Sequence, residues 1–279
     1  MFFQNKGPEK RGMSQAASSA ARPNPFGGVG VCSAYAAWRG GRLVHPLEPA
    51  RSPSPRAEHV HEKFRAHVLG PGFSCVGAKA AVNNNTYRFG LYEELGAGGT
   101  TNALAYDLCE YARERPTFGT DFATFVACFD APAPEDEREW ERVLWAQLQA
   151  LHDLDRPHHA WDASVSSDPE DPAFSFSFAG TAFFVVGLHP ASSRLARRFA
   201  WPTLVFNAHE QFERLREREQ FARVQTAVRA RDYKLQGSLN PNLSNYGERS
   251  EARQYSGRPV EEGWRCPFHA RRGVEETED

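Results

Sequence analysis

Along the chain the apolar positions change period several times, and each change marks an element. Tyr87, Phe89 and Leu91 alternate as a strand does. From Thr120 to Phe129, Phe122, Thr124, Val126 and Cys128 alternate with Ala123, Phe125, Ala127 and Phe129, so both faces are largely apolar and the strand is expected in the interior of a sheet. Phe174, Phe176 and Phe178 alternate with Ser175 and Ser177, which predicts a half-buried strand. Ala179-Gly180-Thr181 is short enough for a hairpin turn, and the apolar run Ala182 to Leu188 answers it. Helical spacing takes over in other stretches. One helix is expected from about Ala57 to Gly70-Pro71-Gly72, and another from Thr100 to Arg115, with Thr100 or Thr101 as its cap and Pro116 as its stop. A third opens at Asp136 and runs through His152, with Trp140, Val143, Leu144, Leu148 and Leu151 on one face. Asn207 reads as the cap of a last helix, broken once, that continues towards Arg231.

Strands and helices in this irregular order predict an α+β fold, a single domain with a mixed or antiparallel sheet and packed helices over residues 57–271. Residues 1–56, rich in Ala, Ser, Gly, Pro and Arg, are expected to be disordered, with a targeting peptide as the alternative. Residues 272–279 are expected to fray. The run Phe73 to Asn83 reads as a short helix packing through its alanines, or as a place where Lys79 meets an anion.

The chemistry concentrates between Ala182 and Gln211. Two apolar runs, Ala182 to Leu188 and Thr203 to Phe206, are each followed within a few positions by a histidine, His189 and His209. Between them Ser192, Ser193, Arg194, Arg197 and Arg198 form a basic, hydroxyl-rich turn suited to an anionic group. A second polar cluster, His158, His159, Trp161 and Asp162, falls in an expected loop, where functional residues gather.

Composition narrows the classes. With 279 residues, 41% hydrophobic positions and a formal net charge of -2, the chain is long enough for a sizeable core and has no global pull towards nucleic acid. Five cysteines without CxxC spacing argue against a disulfide framework and for a reducing, cytoplasmic setting. No apolar run approaches the roughly 20 residues that a membrane span needs. GxGxxG with a following acid, GxxxxGK[ST], GxSxG and HExxH are all absent, which removes most support for nucleotide-dependent, serine-hydrolase and zincin chemistry. Histidine, arginine and aromatic chemistry remains. A haem needs a neutral imidazole ligand, an apolar slot and cations for its propionates; His189 or His209, the phenylalanines, and Arg194, Arg197 and Arg198 are those residue types. The bland alternative is that both histidines are simply hydrogen-bonded near helix starts.

The particular strings go further. Phe73-Ser74-Cys75 followed by VGAKAA, the YRFGLYEELG block, TDFATFVACF, FSFSFAGTAFFVVGLHPASSRLARRF, FNAHEQFERLR, QGSLNP, QYSGR at Gln254 to Arg258, and Cys266-Pro267-Phe268 together resemble the FPC/CPF-motif proteins, the YqcI/YcgG family. The resemblance covers roughly residues 57 to 270, and Ser74 stands where the name-giving motif has proline. Members with an assigned activity are haem-dependent enzymes that hydroxylate a guanidine nitrogen. The resemblance therefore implies haem b held by one histidine, His189 first and His209 second, with dioxygen as oxidant and arginine or a related guanidino compound as substrate. A guanidinium calls for a carboxylate fork, for which Asp162, Glu93 and Glu94 are the candidates, with Trp161 stacking on the cation. Cys266 is the alternative, thiolate ligand. Without a flavin or nicotinamide motif, electrons must come from an external donor. The second expectation is a non-catalytic haem- or small-ligand-binding protein, and the third a structural or interaction protein without a cofactor.

Overall fold

The computed structural model describes residues 23–120, 122–243 and 247–271. In chain order the elements are β1 (Ala37–Arg39), β2 (Arg42–Val44), α1 (Pro55–Leu69), α2 (Val76–Asn84), β3 (Tyr87–Glu94), α3 (Gly98–Glu114), β4 (Thr124–Ala131), α4 (Glu137–Asp155), β5 (Phe176–Phe178), β6 (Thr181–Leu188), β7 (Thr203–Ala208), α5 (Glu210–Glu217), α6 (Phe221–Gln236) and α7 (Ala252–Tyr255). Five strands form one sheet in the order β3-β4-β7-β6-β5, parallel between β3 and β4 and antiparallel elsewhere. The fold is α+β with a mixed sheet, as the pattern predicts. No helix among the described residues is long and apolar enough to cross a membrane.

Register explains why the middle strands are apolar on both faces. Phe125, Phe206 and Val185 lie in one row across β4, β7 and β6, while Val126, Val205 and Val186 lie in the next row and point the other way. The first face carries α3 and α4, through Leu104, Leu108, Trp140, Leu144 and Leu148. The second carries α1 and α2 over its β3/β4 half, through Val60, Phe64, Val68 and Val82. Helix α4 starts where its sequence says it should, because Asp136 accepts from the N–H groups of Arg138 and Glu139, both at 2.8 Å. It can lie close to β6 because position 187 is glycine; a Cβ there would stand 2.8 Å from both Trp140 and Leu144.

Four expectations need correction. Asn207 does not cap a helix: it is the fifth residue of β7, its side chain donates to Phe184 O at 3.2 Å, and His209 occupies the cap position of α5. Ala97, not Thr100 or Thr101, precedes α3, and both threonines are buried inside its first turn. Ser175 and Ser177 are as buried as the phenylalanines they alternate with, because each has a partner: Ser175 donates to Glu251 and Ser177 accepts from Asp162 N. Finally, residues 23–56 are not without structure. The β1/β2 hairpin buries Leu43, Ala36 pairs with Phe89 of the sheet edge, and Tyr35 joins the core.

Composition hid this because the segment is held by polar links that no periodicity records. Asp107, on α3, accepts from Ser33 Oγ at 2.6 Å, from Ala34 N at 2.8 Å and from Tyr92 Oη at 2.7 Å, while Asn24 donates to Glu110 at 2.8 Å. The expected disorder of residues 1–22 and fraying of 272–279 lie outside the described residues.

Two measurements test this frame. Gly187→Ala is expected to cost about 1–3 kcal/mol in chemical denaturation, since Trp140 and Leu144 must move to admit the methyl group. Asp107 supplies a pH dependence: burial, against its three hydrogen bonds, pushes the carboxyl from the ordinary 3.8 up to about 7. An acid that holds its proton more tightly folded than unfolded stabilises the fold most at low pH. Its contribution is complete below about pH 3.8 and is lost as pH rises to about 7, so Asp107→Asn is expected to flatten the fall in stability across that window.

Candidate functional site

Seen along the second face of the sheet, α1 and α2 cover one half and the α5–α6 excursion folds back over the other. Between them lies a cavity of about 280 Å³, just under the roughly 300–1000 Å³ usual for small-ligand pockets. Its floor is the row Thr124, Asn207 and Phe184 with Val186 beyond, and its near wall is the small-residue side of α2, Gly77, Ala78 and Ala81. Phe212 and Leu215 from α5 and Phe221, Val224 and Val228 from α6 make the apolar roof. Small residues in α2 are required there, since a Cβ on Gly77 would come within 3.0 Å of Phe122.

Into this apolar space come a few polar groups. His209, 5% exposed, sits at the end of β7 with its Nε2 facing Glu213 Oε1 at 3.1 Å and its Nδ1 facing Glu251 Oε2 at 3.8 Å. Burial, only partly offset by the Glu213 carboxylate, pulls the imidazole below its ordinary pKa, so it is neutral at neutral pH. Glu251 reaches the cavity from the tail; burial pushes its carboxyl up to about 8, against hydrogen bonds from Tyr255 and Ser175 that favour the ionised form. Cys75 is at the wall as the cap of α2, its Sγ accepting from Ala78 N at 3.5 Å. Arg216, Arg229 and Arg249 complete the charged lining.

The other candidates lie elsewhere. His209 N donates to Ala182 O, whereas His189 lies seven residues further along β6, so the two histidines stand about 23 Å apart along the strand direction. His189 is fully buried and stacks on Trp140 at 5.1 Å; among the described residues neither ring nitrogen has a hydrogen-bond partner, and burial, with Arg197 nearby, takes its pKa down to about 4. The expected propionate arginines are at that same far end and already engaged. Arg194 pairs with Asp232, Arg197 donates to Tyr255 O at 2.9 Å, and Arg198 donates to Ser192 O at 2.9 Å.

Asp162 is close enough to His209 for each to feel the other's charge, but its oxygens accept from Ser164 and, at 2.9 Å, from Ala182 N, which makes it the anchor of the β6 start. Trp161 packs against Phe174 and Phe268 in the core. Glu93 and Glu94 are exposed at the C-terminal end of edge strand β3, the opposite corner of the sheet from His209. Cys266 is buried away from the cavity, and burial pushes its thiol up to about 12.

Residues 64–269 match the YqcI/YcgG family. The chain belongs to that family. It is 26% identical over 240 residues to a protein of Bacillus subtilis (strain 168) named "Uncharacterized protein YcgG", an alignment covering 80% of this chain and 92% of that one. No solved structure matches it.

For a family member of this kind the question is whether the cavity residues suit a haem. No group of three or more His, Cys, Asp or Glu side chains among the described residues is placed to hold a bare metal ion. A haem asks less, since the porphyrin supplies four nitrogens and the protein one or two axial ligands. One neutral imidazole and apolar walls are that donor set in kind, and of the three arginines beside them Arg216 is already paired with Glu213. Sequence reasoning missed Glu251, Cys75 and the three cavity arginines. For Cys75 the signal was present: it is the cysteine of the first family motif.

Alkylation followed by mass spectrometry checks this wall. Exposed Cys32 is expected to react first and half-buried Cys75 next, with Cys109, Cys128 and Cys266 protected until unfolding. A ligand that fills the cavity is expected to slow Cys75 alone.

Proposed function

We propose that the cavity at the His209 end of the sheet binds haem b and that the protein hydroxylates a guanidine nitrogen of arginine or a related guanidino compound. The observation that carries the reading is His209, a neutral buried imidazole on the wall of an otherwise apolar cavity. Membership of the YqcI/YcgG family supports the reaction class through the resemblance already described.

Bound haem would supply the iron centre at which dioxygen is activated. The chain's own residues do the rest. His209 is the residue that would hold the group, with Glu213, facing its Nε2, orienting the ring. Phe184, Phe212 and Phe221 would exclude water from the reacting centre, and Arg216, although paired with Glu213, adds positive charge to the lining together with Arg229 and Arg249. Electrons come from an external donor. All five cysteines are unpaired, in keeping with a reducing, cytoplasmic setting.

The test is an absorption spectrum of the purified protein with and without added haem, then of two variants. His209→Ala is expected to reduce haem uptake at least about tenfold, while His189→Ala retains the Soret band. Loss in neither variant rejects the ligand assignment, and no uptake by the wild type removes the haem reading. A ferrous carbonyl spectrum of thiolate type would move the ligand to Cys75, the thiol on the wall. Turnover of arginine with reductant and oxygen separates an enzyme from a carrier, since a carrier binds haem and releases no product one oxygen heavier.

A further inference from the structure

Helix α6 roofs the cavity with one side and shows solvent the other, and the two sides differ in chemistry. At about 3.6 residues per turn, Phe221, Val224, Gln225 and Val228 share the side that lines the cavity, while Arg223, Ala230 and Lys234 fall within about 40° of one another on the side away from it. Arg231 and Tyr233 flank that row, and all five of these outer residues are exposed. Among the described residues Arg223, Arg231 and Lys234 have no hydrogen bond or ion pair. The acid of the helix, Asp232, is buried and paired with Arg194, so the charge that α6 shows to solvent is wholly positive, on a chain whose formal net charge is -2. The nearest acids before it in sequence, Glu217 and Glu219, stand outside the helix on either side of Arg218. Three of the six exposed large hydrophobic residues among those described, Leu195, Tyr233 and Leu239, gather where α6 ends. Leu195 N donates to Gln236 Oε1 at 2.9 Å, and Leu239 follows Ser238, whose hydroxyl and carbonyl oxygens accept from Arg194.

We propose that this outer face of α6 is the docking surface for an acidic one-electron carrier, a small iron–sulfur or flavin protein; the proposal rests on the reading of the cavity given above, which needs an external donor but does not locate it. Charge is the first argument: cations without partners of their own attract an acidic surface and steer its approach. Composition is the second. A basic row beside an exposed tyrosine and two leucines offers the charged rim and apolar contact of a small transient interface, and electron-transfer encounters bury less than about 1200 Å². Position is the third, because a carrier seated there is separated from the cavity by a single helix, about 10–12 Å across with its side chains. In the docked complex the carrier is oxidised by one electron and the acceptor in the cavity is reduced by one; no atom or proton is exchanged between them. An anionic bilayer fits this face less well, since a helix lying on a membrane inserts its apolar side, and that of α6 is turned to the cavity.

The probes are two acidic carriers, a plant-type ferredoxin and a flavodoxin, whose binding to the full chain is measured by calorimetry with and without added haem. Wild type is compared with a variant carrying Arg223→Glu, Arg231→Glu and Lys234→Glu, and with a control carrying Arg39→Glu, Arg42→Glu and Arg142→Glu, three exposed arginines elsewhere. The α6 variant is expected to bind at least one carrier about tenfold or more weakly than wild type, the control within about threefold of it, and the wild-type affinity to fall as salt rises from about 20 to about 300 mM. Where haem is taken up, reduction by that carrier is expected to slow to a similar extent in the α6 variant, while reduction by dithionite, which needs no docking, keeps its rate. Undiminished binding by the α6 variant overturns the proposal, as do an equal loss in the control and a wild type that binds neither carrier. Binding of phosphatidylserine vesicles, but of no carrier, through these residues gives the face to a membrane and overturns it too. If the charge-reversed variant does not fold, Arg223→Gln, Arg231→Gln and Lys234→Gln together decide by the same comparison, since they only remove the charges. A chain that takes up no haem yet binds a carrier through α6 loses the haem reading and keeps the docking face; one that takes up haem and binds no carrier does the reverse.

Discussion

Antiparallel pairing sends the ends of consecutive strands to opposite edges of a sheet, and the register of β6 on β7, from Phe183 opposite Ala208 to Leu188 opposite Thr203, governs what can be a site in this molecule. Two histidines that follow two apolar runs in the sequence are thereby separated by the length of the strands. The edge that holds His189 is then used for construction. Trp140 stacks on the imidazole, Arg194 pairs with Asp232, and Arg197, its pKa taken down to about 10 by burial, is spent on backbone carbonyls. The edge that holds His209 keeps space above the sheet, because α5 leaves the strand there and α6 returns at a distance.

That space exists only when remote segments meet. Its floor comes from the middle strands, one wall from α2, the roof from α5 and α6, and its carboxylate from the tail. The tail is drawn in by specific contacts: Tyr255 is fully buried, and Arg197 donates to its carbonyl oxygen at 2.9 Å. Gly257 has φ +85, and a Cβ there would stand 2.5 Å from Arg197 Cδ, so the QYSGR string needs glycine both for its backbone and for the arginine beside it. Glu251 is carried to the cavity by the same approach, which couples the closing of the tail to the completion of the site.

Local order was legible in the sequence, and the site was legible only in part. Periodicity located β3, β4, β6 and α4, and Asp136 as a cap, because those signals are carried by adjacent side chains and one capping bond. The hairpin turn expected over Ala179-Gly180-Thr181 forms at Ala179 and Gly180, both at positive φ, with Thr181 already in β6. Failures occurred where a long-range polar contact outvoted local pattern. Asn207 has the chemistry of a cap but is taken into β7 by pairing with Phe184 and Thr124. Residues 23–56 lack periodicity yet are tied down by Asp107 and Tyr35. Glu251 lay in a tail without regular pattern, and nothing short of the fold brings it to His209.

The two halves of the family motif also prove to do different work. Cys75 caps α2 at the cavity, on the face of the sheet that carries α1 and α2. Cys266 and Phe268 lie in the core on the α4 face, where Phe268 packs against Trp145, Trp161, Phe174 and Phe176. A cysteine before proline in a tail therefore serves as a small buried hydrophobe that anchors the chain end, while a cysteine at a helix start lines the cavity. Ser74, the departure from the motif, is buried beside Cys75 and leaves α2 capped in the ordinary way. Proline at position 74 is thus dispensable for placing the thiol, because the helix N-terminus, rather than a rigid preceding residue, fixes where Cys75 stands.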